Sequence, residues 1–432
     1  MRFLILILVA CSADSKPVDT GSESVPGTST TPGTSTPTGS TTPTGGTSTG
    51  TPGSADERAV RALIAGERDL GSVLAEVAWS GGFPVPTSDG GWLFVAEGGP
   101  WQLAGDVTEW APLPMNAADG FSWIELPVAE PAGSMYKFTD GGAVWVADPV
   151  ARSFTYDPLG ELSFVEPPTS AWRLDRWPGL AGEGLTARDV HVYVPAGDGP
   201  WPVLYAHDGQ NLFDPGAIWG GWRLQDALGG VAPMVVVGVH NTFDRFDEYT
   251  HVPDDIGYGP MGGQGDAYAR LVHEQLRPRM EAAYGSTGVH GVLGSSLGGL
   301  ISLHIAERYP SEYDFVASLS GTLGWGRFVL ENEAMEARWL AMEPGGPVVY
   351  VDSGGDAGVD GVCRDLDGDG YFEDDPDSAD NYCENRAFAD ALGAAGWAWD
   401  AELYHWHEPG APHSEVAWAE RVARPLGIFG AL

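Results

Sequence analysis

Positive charge is scarce in this chain of 432 residues: 22 Lys and Arg stand against 60 Asp and Glu, a formal net charge of −38 at pH 7. A surface of that sign repels phosphate backbones and anionic headgroups, which excludes non-specific nucleic-acid binding and electrostatic binding to a bilayer surface. Cysteine is scarcer still, with three residues: Cys11, Cys363 and Cys383. The apolar run from Phe3 to Ala10 falls well short of the about 20 residues that a bilayer crossing needs. What the chain does have is core material. Hydrophobic residues make up 43% and aromatics 11%, with 17 Trp, so most of the chain is globular rather than disordered, with length for two or three domains.

Met1-Arg2 followed by a short apolar run and a small residue describes an export signal. Leu8-Val9-Ala10-Cys11 resembles the lipobox of bacterial lipoproteins, which implies diacylation of Cys11 as the mature N-terminus; an ordinary signal peptide with a chance cysteine is the alternative. By the same resemblance, Ser12 points to an outer membrane or the cell surface, with the membrane met only through the lipid. Residues 1–11 are thus read as signal and lipobox. Residues 12–54, almost entirely Thr, Gly, Ser and Pro, cannot bury enough apolar area to offset ordering entropy and form a flexible tether. With Cys11 lipidated, Cys363 and Cys383 remain as an even pair in an oxidising compartment, and a disulfide is expected.

Residues 55–170 open with a short helical pattern, Arg58 to Ile64, and continue as brief apolar runs bounded by Gly, Pro, Asp or Asn. Gly91-Trp92-Leu93-Phe94-Val95, Gly120-Phe121-Ser122-Trp123-Ile124 and Met135-Tyr136-Lys137-Phe138 are examples, and the spacing predicts a small all-β sandwich. Ala104-Gly105-Asp106-Val107-Thr108-Glu109-Trp110, with Trp145-Val146-Ala147-Asp148-Pro149, resembles the immunoglobulin-like early-set modules that precede some catalytic domains. Some such modules bind glucans through exposed Trp, although core packing is the commoner use of Trp there.

From residue 171 to 432 the pattern changes to unbroken β-branched runs alternating with helical stretches. Val190–Val194, Val203–Ala206, Val235–Val239, His290–Leu293, Phe315–Leu319 and Val348–Val351 suit strands buried on both faces. Helical candidates lie at Asp266–Tyr284, Gly298–Arg308, Arg327–Met342 and Asn385–Ala395. The alternation predicts an α/β doubly wound domain. Gly294-Ser295-Ser296-Leu297-Gly298 falls between one such strand and one such helix. A sharp strand-to-helix turn lifts a serine hydroxyl over the sheet edge, and glycines two residues on either side relieve the crowding. Ser296 is therefore the candidate nucleophile, with the Leu297 N–H at the helix start as an oxyanion donor.

In this arrangement the acid and then the histidine follow the serine. His304, His405, His407 and His413 qualify by order. His413, in the loop between a last strand at Ala398–Trp406 and the final helix, is the candidate base, with His407 second. The acid is expected after the strand Val348–Val351, where Asp356 is preferred over Asp352 and Asp360. A buried carboxylate there would hold the imidazole in the correct tautomer.

Val203-Leu204-Tyr205-Ala206-His207-Asp208-Gly209-Gln210-Asn211, Gly294-Ser295-Ser296-Leu297-Gly298-Gly299 and His413-Ser414-Glu415 together resemble the esterase family of α/β-hydrolases that includes enterochelin esterases, feruloyl esterases and mycolyltransferases. The resemblance implies a serine carboxylic-ester hydrolase that works through an acyl-enzyme and needs no cofactor. It also places a second oxyanion N–H at Gln210. Two alternatives stay open: an acyltransferase of the same family, and a non-catalytic carbohydrate-binding surface lipoprotein. Feruloyl, siderophore, acetyl or similar esters are all compatible, with Asp208, Trp219 and Trp222 expected near the mouth of the site.

The chain departs from that family between Asp356 and Asn385, where an acidic insert, 363–383, intervenes. Asp365, Asp367 and Asp369 alternate before Gly370, and the Tyr371 carbonyl would follow at position seven, the opening of a calcium loop. Pro376 stands where an EF-hand needs its bidentate Glu, so Asp374, Asp375, Asp377 or Asp380 would have to complete the shell. The expectation is a structural Ca²⁺; a solvated acidic loop is the alternative.

Overall fold

The computed structural model describes residues 53–218, 220–357, 362–365, 368 and 380–432. Cys11, Trp219, Asp360, Asp367, Asp369 and Tyr371, together with the expected signal, nearly all of the tether and most of the acidic insert, lie outside the described residues.

Among the described residues, eight strands of the main sheet come from the C-terminal part of the chain: β1 (Arg173–Gly182), β2 (Leu185–Val194), β3 (Val203–His207), β4 (Val235–Val239), β5 (His290–Ser295), β6 (Phe315–Leu319), β7 (Val348–Ser353) and β8 (Leu403–His407). Their order across the sheet is β1-β2-β4-β3-β5-β6-β7-β8. The β1–β2 and β2–β4 pairs are antiparallel, and every pair from β4 to β8 is parallel. Strands β3 to β6 are buried at every residue, which is why their sequences run apolar without alternation. Alternate side chains nonetheless feed two cores. Val235, Val237 and Val239 of β4 pack with Leu297, Leu300 and Ile301 on one face, whereas Val236 packs with Trp418, Leu426 and Phe429 on the other.

The helices that cover these faces are mostly those that the sequence predicts. Helix α1 (Leu297–Arg308) follows β5, α2 (Tyr382–Ala394) precedes β8, and α3 (Glu415–Arg421) follows it. The helix expected over Arg327–Met342 shrinks to Met335–Leu340. The reason lies at Asp254, whose buried carboxylate accepts the N–H groups of Gly326, Phe328, Val329 and Leu330 and so holds that stretch in a loop.

Upstream, two helices, Ala55–Ile64 and Leu70–Ala78, lead into a four-stranded antiparallel sheet built around Gly91–Glu97 and Phe121–Pro127. It shares a core with a second layer: Phe94 and Ile124 of the first sheet meet Leu103, Tyr136 and Phe138 of the second. That second layer does not stop at residue 170. Phe154 pairs with Leu174, and Ser153 with Asp175, so hydrogen bonding continues into β1 and one 14-stranded sheet spans both halves of the chain. No described helix is long and apolar enough to cross a membrane.

Candidate active site

The elbow at Ser296 is forced by packing between the end of β5 and the start of α1. Ser296 sits at φ 56°, ψ −125°, a backbone that non-glycine residues rarely adopt. Strand and helix cross so closely that a Cβ on Gly294 would lie 2.4 Å from the Gly298 carbonyl oxygen, and one on Gly299 would lie 2.4 Å from Ser318 Oγ. The turn is tied from below, since the Ser296 N–H donates to the Leu319 carbonyl (2.9 Å) and its own carbonyl accepts from the Thr322 N–H (3.2 Å). Ser296 Oγ lies 3.3 Å from Thr322 Oγ1, and the residue is 2% exposed. The first N–H groups of α1, Leu297 foremost, have no acceptor within the helix.

His413, in the loop between β8 and α3, has its Nδ1 2.7 Å from Asp380 Oδ1 and its ring edge-on to Trp418, 4.9 Å between centroids. The acid at this histidine is therefore Asp380, not the expected Asp356. After β7 the chain turns so that backbone rather than side chain reaches inward: the Gly354 N–H donates to Asp380 Oδ2, and Gly355 is pinned to Ala411 and Gly410. Asp356 follows on the exposed side of that turn. Asp380 itself is fully buried. Its Oδ2 also accepts from Ser320 Oγ at 2.7 Å and Arg421 Nη2 at 3.3 Å. A residue considered for the calcium shell is thus committed to an imidazole. It stands directly before the start of α2, and the Cys363–Cys383 disulfide fastens the insert to the first turn of that helix. Asp365, the described member of the proposed calcium set, is exposed and accepts the Gly368 N–H at 2.6 Å.

The other histidines are occupied elsewhere. His407 Nε2 meets the Gly355 carbonyl at 2.9 Å, and the ring lies against Tyr382. His304 pairs with Asp266 at 3.0 Å, and burial pushes it down to about 4. Burial does the same to His405. Asp352, the alternative acid, stays within β7; it accepts from Tyr350 and Arg421, and burial raises it to about 6.

Asp208 and Trp222 are both buried, each with partners within the protein. Burial alone would push the Asp208 carboxyl up, but Arg245 holds it below its ordinary value, through bonds of 2.8 and 2.9 Å, with Asn241 adding a third at 2.6 Å. Those contacts commit both carboxylate oxygens to positioning the turn after β3. Trp222 is buried against Trp418 in the core. Asp208 at φ 59° opens a short turn, Gly209–Asn211, on which Gln210 sits; the Gln210 side-chain oxygen accepts from the Asn241 N–H at 3.1 Å. Sequence reasoning missed Asp380 as an acid, and with it Ser320, Thr322 and Arg421.

A family model described as "Putative esterase" matches residues 186–427. "Uncharacterized protein YbbA" of Bacillus subtilis is 28% identical over 181 residues, which are 40% of this chain and 69% of that protein. The siderophore triacetylfusarinine C esterase of Aspergillus fumigatus is 25% identical over 146 residues, 32% of this chain and 50% of that protein. Among solved structures, the enterochelin esterase of Shigella flexneri superposes with a TM-score of 0.44 and 15% identity, over 78% of this chain and 92% of that one.

Proposed function

The chain belongs to the esterase family whose model spans more than half of it, and on that premise we propose that it is a serine esterase whose working groups are Ser296, His413 and Asp380. The observation that carries the reading is the 2.7 Å bond from His413 Nδ1 to the buried Asp380 carboxylate, taken together with a serine held on a strained strand-to-helix elbow. With Nδ1 donating to Asp380, Nε2 is left as the basic atom. It takes the Ser296 proton as Oγ attacks an ester carbonyl, and returns it to the leaving alcohol. The tetrahedral oxyanion is met by the N–H groups of Leu297 and Gln210. Water, activated by the same histidine, then attacks the acyl-enzyme and releases the acid.

The substrate we propose is an extracytoplasmic ester of the feruloyl, acetyl or siderophore kind, reached by a protein anchored through Cys11. Residues 55–170, two sheets around a shared core, are read as an early-set module. A fluorophosphonate probe on the purified protein tests the chemistry. Label at Ser296, absent from Ser296→Ala together with ester turnover, is the expected result; turnover that survives Ser296→Ala overturns it. Mass spectrometry of the cell-derived protein should show an acylated Cys11, and a mature form that starts elsewhere rejects the anchor.

A further inference from the structure

A buried cation lies under this site. Arg421 of α3 is 2% exposed, and its Nη2 reaches Ser320 Oγ at 2.7 Å, Asp352 Oδ1 at 3.1 Å and Asp380 Oδ2 at 3.3 Å. These acceptors come from three places: the turn after β6, the end of β7 and the approach to α2. Both carboxylates are fully buried, so two enclosed acids share one guanidinium. Ser320, held at φ 48°, receives Arg421 and the Trp418 indole N–H on its oxygen and passes its own proton to Asp380. Two residues further on, Thr322 touches the nucleophile. The backbone from Ser320 to Thr322 thus joins the residue that Arg421 holds to the residue that meets the Ser296 hydroxyl.

We propose that Arg421 is a positioning residue of the esterase site, one that acts by balancing the charges of Asp352 and Asp380 and thereby fixing the carboxylate oxygen that orients His413. The proposal rests on the catalytic reading above. Its physical basis is that enclosed like charges without a counter-ion are expensive, and the structure relieves such a strain by movement or by taking up a proton. The groups facing the pair are Arg421 and His413 from the C-terminal segment, Ser320 and the Gly354 N–H from the strand ends, and Tyr350, whose hydroxyl donates to Asp352 at 2.9 Å, with Arg424 near that hydroxyl. Burial raises Asp352 to about 6 against the pull of Arg421, the direction expected where one guanidinium serves two enclosed acids.

The test uses the full chain with a p-nitrophenyl ester and measures kcat, KM and the pH profile for wild type, Arg421→Met, Asp352→Asn and the double variant. Arg421→Met should lower kcat about 100-fold with KM little changed, the scale of a misplaced catalytic group. The double variant, which removes one cation and one anion, should recover about tenfold or more of that loss, because the remaining carboxylate is no longer crowded by a second one. Asp352→Asn alone should move the acid limb of kcat/KM to lower pH by about half a unit, since an anion near the imidazolium is gone. A merely structural arginine predicts additive losses and an unmoved limb. Undiminished kcat in Arg421→Met, or a double variant no better than it, overturns the proposal. Should Arg421→Met fail to fold, an unmoved limb in Asp352→Asn overturns it. Ser296→Ala run alongside separates the two ideas: if that variant retains turnover, the catalytic reading fails, whereas an inactive Ser296→Ala beside indifferent Arg421 variants sinks only this inference.

Discussion

Replacing Asp380 by Asn is the sharpest perturbation the structure offers, because the partners of the carboxylate dictate how the amide must sit. Its Oδ2 accepts from the Gly354 N–H and from Arg421, neither of which can act as an acceptor, and from Ser320, whose hydroxyl can rotate. An asparagine must therefore turn its oxygen toward Gly354 and Arg421 and its NH₂ toward His413 Nδ1. The imidazole is then driven to the tautomer with its proton on Nε2, where it cannot receive the serine proton. For a serine protease triad the corresponding change lowers kcat by about 10⁴. A loss here of about 10³ to 10⁴ would correspond to about 4–5.5 kcal/mol of transition-state stabilisation, more than the about 1.5–3 kcal/mol of one charge-assisted hydrogen bond. KM should change little, because the interaction operates on the way to the transition state. The assay is initial-rate hydrolysis of a chromogenic ester beside a thermal melt to confirm folding, with the exposed Asp356→Asn as comparison, expected within about twofold of wild type. Asp380→Asn within tenfold of wild-type kcat, or Asp356→Asn as impaired as Asp380→Asn, would refute the reasoning.

Other outcomes follow from the same structure. Reduction of Cys363–Cys383, separated by 20 residues, should lower stability by about 3 kcal/mol in the loop-entropy account; it should also lower kcat, because Cys383 is three residues from Asp380, and an unchanged melting curve would contradict this. Asp148 is buried, and burial raises it to about 6. A folded value above the unfolded one means that its stabilising contribution is complete below about pH 4 and is lost as pH rises through about 6, about 3 kcal/mol in all. Denaturant melts at several pH values should therefore show Asp148→Asn flattening the decline, and a parallel decline would count against it. Calcium held by the acidic insert would stabilise by mass action, about 2.7 kcal/mol at 100 times the dissociation constant, raising the melting temperature of the oxidised protein and reversing with EDTA; no shift would leave the insert as a solvated loop.

The parts of the site that were legible in the sequence are those whose physics is local. Gly294-Ser295-Ser296-Leu297-Gly298 announces its own elbow, because the steric demand for glycine on either side of the serine is met within a few residues. The six strands read from unbroken apolar runs are all found, because burial on both faces leaves such a run, although the last strand is Leu403–His407 rather than Ala398–Trp406; His413 could be singled out by lying in the loop after that strand, before the helix Glu415–Arg421. The acid obeys no such local rule. Asp356 and Asp380 are both aspartates in the chain between β7 and α2, and Asp380 follows a run of other acidic residues. What distinguishes it is convergence from afar: the Gly354 N–H, Ser320, Arg421 and His413 all close on one carboxylate from separate elements. The extent of the sheet was likewise decided by packing, since the strand Ser153–Asp157 pairs with β1 across what the change of sequence pattern marks as a boundary. Sequence alone thus determined the serine elbow, the candidate histidine and the six buried strands, but not the extent of every helix, as the stretch Arg327–Met342 shows. Only the tertiary structure decided which acid serves the histidine, because a buried charge is placed by the counter-ions and donors that gather around it, and these lie up to dozens of residues away along the chain.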